Sequence, residues 1–283
     1  MPYSRKGADT CLSCHDDQVT LAIFRTPHGS PDNPHSPFGA RQLQCEACHG
    51  PGGDHSGRVR RGQERPAILS FLKDDPTDAG TQNQMCLGCH TADAGVAWHS
   101  GAHAANEISC ASCHTVHAPK DAMAHPATQN ESCFSCHAEQ RTQSRKPFAH
   151  PLHNGKMSCS SCHNPHGTTA SADLQQQDVN TTCFSCHAEK RGPFLWEHAP
   201  VAEDCLSCHN PHGASQPGML VRRAPLLCQS CHSQAGHPSV VQTPGGLPTG
   251  GAAPSPYLLG NSCMNCHSQV HGSNHPSGSG LSR

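Results

Sequence analysis

The fold class that this sequence predicts is mostly coil with short α-helices and negligible sheet, built from a repeated internal unit. Three observations predict it. The 283 residues include 26 Gly and 24 Pro, with recurrent NPHG and PGG punctuation that reads as turns and extended connections. Only 34% of the residues are apolar, against about 45–50% in ordinary globular chains, so a normal side-chain core cannot form. All 20 Cys fall inside ten C-x-x-C-H motifs whose spacing repeats along the chain.

Two thiols three residues apart, followed directly by His, form the pattern of c-type haem attachment. The thiols make thioethers to one porphyrin edge and the His ligates the iron. The attachment pairs are Cys11 and Cys14, Cys45 and Cys48, Cys86 and Cys89, Cys110 and Cys113, Cys133 and Cys136. They continue with Cys159 and Cys162, Cys183 and Cys186, Cys205 and Cys208, Cys228 and Cys231, and Cys263 and Cys266. The proximal ligands are then His15, His49, His90, His114, His137, His163, His187, His209, His232 and His267. Ten covalently attached c-type haems follow as cofactors, and the fold class sharpens to a multihaem cytochrome c. Large flat macrocycles replace the missing core, and no Cys is left for a disulfide. Zinc is the rival, since paired C-x-x-C knuckles make Cys₄ sites. Such knuckles do not require a His after the second Cys, and here it follows all ten times.

The motifs group in twos. Residues 133–167 and 183–213 are copies of one unit: CFSCH, an intervening segment with an aromatic and a His, a second motif, then His-Gly. Residues 86–117 follow the same plan, and 11–55 and 228–272 are looser copies. Five two-haem modules result, approximately 8–80, 81–128, 129–178, 179–222 and 223–276, forming a single elongated array over 1–283. Motif spacings within modules are 34, 24, 26, 22 and 35 residues, and between modules 41, 23, 24 and 23. Expanded terminal units are what a stacked repeat shows where the stack ends. Short helices are expected to start at the motifs or run after them, as in CFSCHAEKR. The run PAILSFL, residues 66–72, reads as local packing, and the Gly- and Pro-rich residues 241–260 read as a surface loop.

Fifteen of the 25 His lie outside the motifs, enough to close every iron with a second imidazole. A distal ligand approaches the opposite face of the ring. The three residues from His163 to His166 span at most about 10 Å, too little to pass a porphyrin edge. His166 is therefore expected on a neighbouring haem. The modules nominate His28, His103, His153, His198 and His237 from the intervening segments, and His55, His117, His166, His212 and His271 after the second motifs. His150 competes with His153, and His99 with His103. His35, His125 and His275 have weaker positional support. The six Met do not recur at equivalent positions, so His/His ligation and low potentials are expected, with Met157 and Met264 as packing residues.

The formal charge of −2 omits the haem propionates, so the holoprotein should be acidic, which argues against nucleic acid as a partner. RVRR, Arg58 to Arg61, is the one dense basic run and reads as a solvated loop or a contact to propionates. No stretch approaches the ~20 apolar residues of a membrane helix. Haem is attached outside the cytoplasm, and MPYSRKGADT has no apolar export region, so a native signal peptide is expected ahead of this sequence. Haem catalysis needs an open coordination position, and nothing singles one out. Electron relay is expected rather than an enzyme.

The opening YSRKGADTCLSCH, then CEACHGPGGDH, CFSCHAEKRGPFLWEHAP with CLSCHNPHG, and the ending CMNCHSQVHGSNHPSG resemble the MtrA/DmsE family of decahaem cytochromes c over essentially the whole chain. The resemblance implies a periplasmic cytochrome that inserts into an outer-membrane β-barrel porin of the MtrB type. It further implies periplasmic or inner-membrane cytochromes as donors or acceptors, and an extracellular multihaem cytochrome beyond the barrel. Such conduits serve extracellular respiration on metal oxides or dimethyl sulfoxide, or Fe(II) oxidation. A freely soluble periplasmic shuttle is the alternative expectation.

Overall fold

The computed structural model describes residues 2–72, 77–92, 94–232 and 263–282. His237 and residues 241–260 lie outside the described residues. The chain forms two compact units, Met1–Cys136 with Ser158–Asp173, and His137–Met157 with Leu174–Arg283. Among the described residues there are short helices and three isolated antiparallel bridges, Phe148–Ala214, Trp196–Ser273 and His209–Leu220.

The helix Ala138–Ser144 and the 3₁₀ turn Ala188–Lys190 run after first motifs, as expected, but five further helices precede the first motifs of the five modules and end inside them. They are Ala8–Leu12, Ala79–Leu87, Pro126–Phe134, Val179–Phe184 and Ala224–Gln229. Local sequence explains the placement. Asp78 accepts from the Thr81 N–H at 2.8 Å and Asp178 from the Thr181 N–H at 2.7 Å, each closing a helix start. Pro126 and Pro225 stand in first turns, where a missing N–H costs nothing. Second motifs begin instead with one 3₁₀ turn, at Cys110–Ser112, Cys159–Ser161, Cys205–Ser207 and Cys263–Asn265. The first module differs, with the α-turn Glu46–His49.

In nine motifs the His N–H donates to the carbonyl of the first Cys at 2.9–3.0 Å. That closes one helical turn and puts positions i, i+3 and i+4, both thiols and the imidazole, on one face.

An Asn three residues before the first Cys joins the two motifs of each central module. Asn83, Asn130 and Asn180 are all buried. Their Oδ1 atoms accept from the N–H groups of Cys110, Cys159 and Cys205 at 2.7, 2.8 and 2.8 Å. Asn83 also donates to the Ile108 carbonyl, and Asn180 to those of Val201 and Ala202. The first module reverses the bond: Gln44 Oε1 accepts from the Ala8 N–H at 2.6 Å. Asn180→Ala leaves a part-buried N–H, that of Cys205, and two carbonyls short of a partner. It should cost about 1–3 kcal/mol in denaturant unfolding of the haem-loaded protein. An unchanged midpoint would remove the clamp from this account.

Buried apolar side chains are few: Ala8, Ala22, Ile23, Trp98, Met123 and Phe134 in the first unit and Ala214 in the second, among the described residues. Buried polar residues outnumber them, while Val96 and Leu72 are 80% and 74% exposed. The polypeptide alone does not supply the apolar burial that holds a fold of this size together.

Candidate functional site

Side chains far apart in sequence converge on paired imidazoles. In the first unit the pairs are His15 with His55, His28 with His90, His49 with His117 and His114 with His166. In the second unit they are His150 with His187, His198 with His232 and His209 with His271. Their ring centroids are 5.9–6.4 Å apart. A ring nitrogen lies about 1.1 Å from its centroid and a metal–imidazole bond is about 2.0–2.1 Å, so two imidazoles on opposite faces of one metal have centroids about 6.2 Å apart. Two nitrogens do not hold a bare ion, and no group of three or more His, Cys, Asp and Glu among the described residues is placed to do so. An iron that brings four equatorial nitrogens of its own needs only these two.

The pairs obey a rule of exchange between neighbouring modules. A His from an intervening segment faces forward to the first motif of the next module, as His28, His150 and His198 do. A His after a second motif faces back to the second motif of the preceding module, as His117, His166 and His271 do. The first module closes on itself through His15 and His55.

One nominated ligand is displaced: His150, not His153, faces His187, and His153 is exposed. The reason is a small bridge. Phe148 and Ala214 exchange backbone hydrogen bonds at 3.2 and 2.8 Å, which brings the His150 Nδ1–H to the Pro211 carbonyl at 2.8 Å. The fourth module repeats it, with Trp196 paired to Ser273 and His198 donating to Val270 at 3.0 Å. An aromatic two residues before the ligand, FAH and WEH, was the legible signal. His103 is half-buried and donates to the Pro165 carbonyl at 2.9 Å, while its competitor His99 is exposed, as are His35, His125 and His275. His212 is held by its backbone N–H, which donates to Asn210 Oδ1 at 3.1 Å.

Nδ1 donors decide which nitrogen is left for metal. His49, His163 and His209 donate to the carbonyls of Leu69, Ala172 and Gly218 at 2.9, 2.9 and 2.7 Å, and His267 to that of Gly280. His114 instead meets the Asp121 carboxylate at 2.5 Å. His55 donates to Pro66 at 2.8 Å. An imidazole that donates from Nδ1 presents an Nε2 lone pair, the arrangement found around metal-bound His. PAILSFL is thus more than packing: Pro66 and Leu69 orient two candidate ligands, and Phe71 stands edge-on to His49 at 5.5 Å. Burial, above all, pushes His28, His49, His166 and His271 below the ordinary imidazole range, toward the neutral form that binds metal.

The cysteines are free thiols that adjoin in alternation. Within modules the first thiols of the two motifs interact, in the pairs Cys11–Cys45, Cys86–Cys110, Cys133–Cys159, Cys183–Cys205 and Cys228–Cys263. Burial, then Cys11, pushes Cys45 up to about 11. Between modules, Cys48 adjoins Cys89, Cys113 adjoins Cys133 and Cys136, and Cys208 adjoins Cys231. Attachment points in each unit therefore follow one another in sequence order. Free thiols, one-face motifs and Nε2-presenting pairs all fit covalently bound haem with two imidazole ligands.

Ring orientation makes a spectroscopic prediction. Interplanar angles are 12–24° in four pairs but 72° for His49–His117. Near-perpendicular ligand planes leave the two iron orbitals they perturb almost equal in energy, giving a strongly anisotropic low-spin ferric EPR signal. Near-parallel planes split them and give a rhombic one. We expect both signals, with His117→Met diminishing the anisotropic one and His271→Met the rhombic one. Identical spectral losses in the two variants would contradict these angles.

Comparison with known proteins agrees with this geometry. The doubled CXXCH motif model matches residues 150–192 and 198–237, and the model of cytochrome c-type protein NrfB-like sequences matches 45–128. The chain is 47% identical over 282 residues to the multiheme cytochrome MtrA of Shewanella baltica, covering 99% of this chain and 83% of that protein. It is also 32% identical over 127 residues to the cytochrome c-type protein NrfB of Haemophilus influenzae, covering 40% of this chain and 56% of that protein. With its motif geometry and this near full-length identity, the chain belongs to the MtrA/DmsE family of multihaem c-type cytochromes, electron-transfer proteins with covalently bound haem rather than enzymes.

Proposed function

We propose that this protein relays electrons through ten c-type haems across the outer membrane, seated inside a β-barrel porin of the MtrB type. In this reading it is periplasmic and associated with the outer membrane. Periplasmic or inner-membrane cytochromes meet it on one side, and an extracellular multihaem cytochrome on the other. The process served is extracellular respiration or Fe(II) oxidation. The observation that carries it is the seven imidazole pairs at 5.9–6.4 Å, in a chain 47% identical to an MtrA.

When bound, the haems supply one-electron iron chemistry. The protein's part is positional. Ten motifs would anchor the macrocycles by Cys and ligate the irons through their His, and the second ligands would be His55, His28, His117, His150, His166, His198 and His271, with His103, His212 and His237 completing the ten. His150 replaces His153 in this set. Closing both faces leaves no position for substrate, which suits relay. No helix among the described residues is long and apolar enough to cross a membrane.

The test uses the haem-loaded protein with its candidate barrel in liposomes that enclose an electron acceptor, with an impermeant donor outside. Internal reduction well above a barrel-only control is expected. Reduction no faster than that control overturns the conduit.

A further inference from the structure

We propose that Asp121 makes the haem held by Cys110 and Cys113 electronically distinct, lowering its potential by loading negative charge onto its axial ligand His114. The inference rests on the bis-His reading above but not on the conduit. Among the second-motif imidazoles, His49, His163, His209 and His267 give their Nδ1–H to neutral backbone carbonyls. His114 alone among these five gives it to a carboxylate, Asp121 Oδ2, at 2.5 Å. The other carboxylate oxygen, Oδ1, accepts from the Met123 N–H at 3.0 Å, which fixes its direction. Both groups are partly shielded, with side-chain exposures of 38% and 26%. By contrast the contact of His187 with Glu189 is 3.8 Å long and exposed on both sides.

A charged acceptor draws the Nδ1 proton further than a carbonyl does, so the imidazole acquires imidazolate character and becomes a stronger donor to metal. Ferric iron carries one more positive charge than ferrous iron and gains more from that donation. Asp121 therefore favours the oxidised state of this one centre. Electrons arriving there in either direction meet a local step in potential, absent where the acceptor is a carbonyl.

Asp121 also starts the 3₁₀ turn Ala122–Ala124. Asn has one oxygen, which can accept from His114 in place of Oδ2 while the Met123 N–H loses its acceptor, so Asp121→Asn removes the charge at the loss of that one capping bond. The experiment is an optically monitored redox titration of the full haem-loaded protein. Haem content and the ferric low-spin signal, measured on the same sample, report separately on the ligation it rests on. The expected result is an upward shift of one component out of ten, the other nine unmoved, with Asp121→Glu, which keeps the charge, staying near wild type. A titration curve for Asp121→Asn that superimposes on wild type overturns the proposal. So does an equal shift in Asp121→Glu, because packing rather than charge would then be responsible.

Discussion

Replacing His166 by Ala should open the iron carried on His114 and leave the haem anchored by Cys159 and Cys162 intact. The rings of His114 and His166 are 6.0 Å apart and 15° from parallel, in register for one iron between them. His166 is held there by its N–H, which donates to Asn164 Oδ1 at 3.1 Å, and its ring packs near Trp98 at 6.4 Å. Without it, one low-spin ferric haem should become high-spin, visible by EPR and absorption, and added imidazole should reverse the change. The location is checked in a protein that also lacks Cys159 and Cys162. The high-spin signal should persist there, and its disappearance would place His166 on the haem of its own motif and sink the exchange rule.

Gly213→Ala should be the most damaging small substitution. Gly213 has φ +134°. A Cβ there would lie 2.2 Å from the Gln143 carbonyl oxygen and 2.9 Å from Ala149 Cβ. Backbone strain and a clash with main chain, each worth about 1–3 kcal/mol, should together cost about 2–6 kcal/mol. The effect is chemical as well, because Ala149 precedes His150. Moving it draws His150 from the Pro211 carbonyl at 2.8 Å and from His187 at 6.4 Å. Denaturant unfolding and the ferric spectrum read the two consequences. A variant with wild-type stability and no high-spin haem would show that the close approach of Gly213 is not required.

These outcomes depend on features of unequal visibility in the sequence. The His-Gly pairs were plain, but why Gly follows was not. Gly167 and Gly272, like Gly213, combine a positive φ with main chain or a ring at the place of a Cβ. Asn83, Asn130 and Asn180 stood in view as N-x-x-C-x-x-C-H. Their role could not be read, because the N–H groups they accept belong to cysteines 25–29 residues away. His150 and His153 competed in the sequence, with FAH beside WEH the one hint for His150, until the Phe148–Ala214 bridge separated them.

By itself the sequence determined everything that one helical turn can encode. Cys, Cys and His at i, i+3 and i+4 share a face whatever surrounds them, so the one-face arrangement within each motif and the poverty of the side-chain core were legible. Tertiary structure alone decided which imidazole meets which. The seven described pairs join residues 34–68 positions apart, and no local rule spans that distance. Tertiary structure also set the choice of Nδ1 acceptor, carbonyl or carboxylate. The acceptor is whatever a later turn brings within hydrogen-bond reach, and that turn's place depends on packing rather than on the motif.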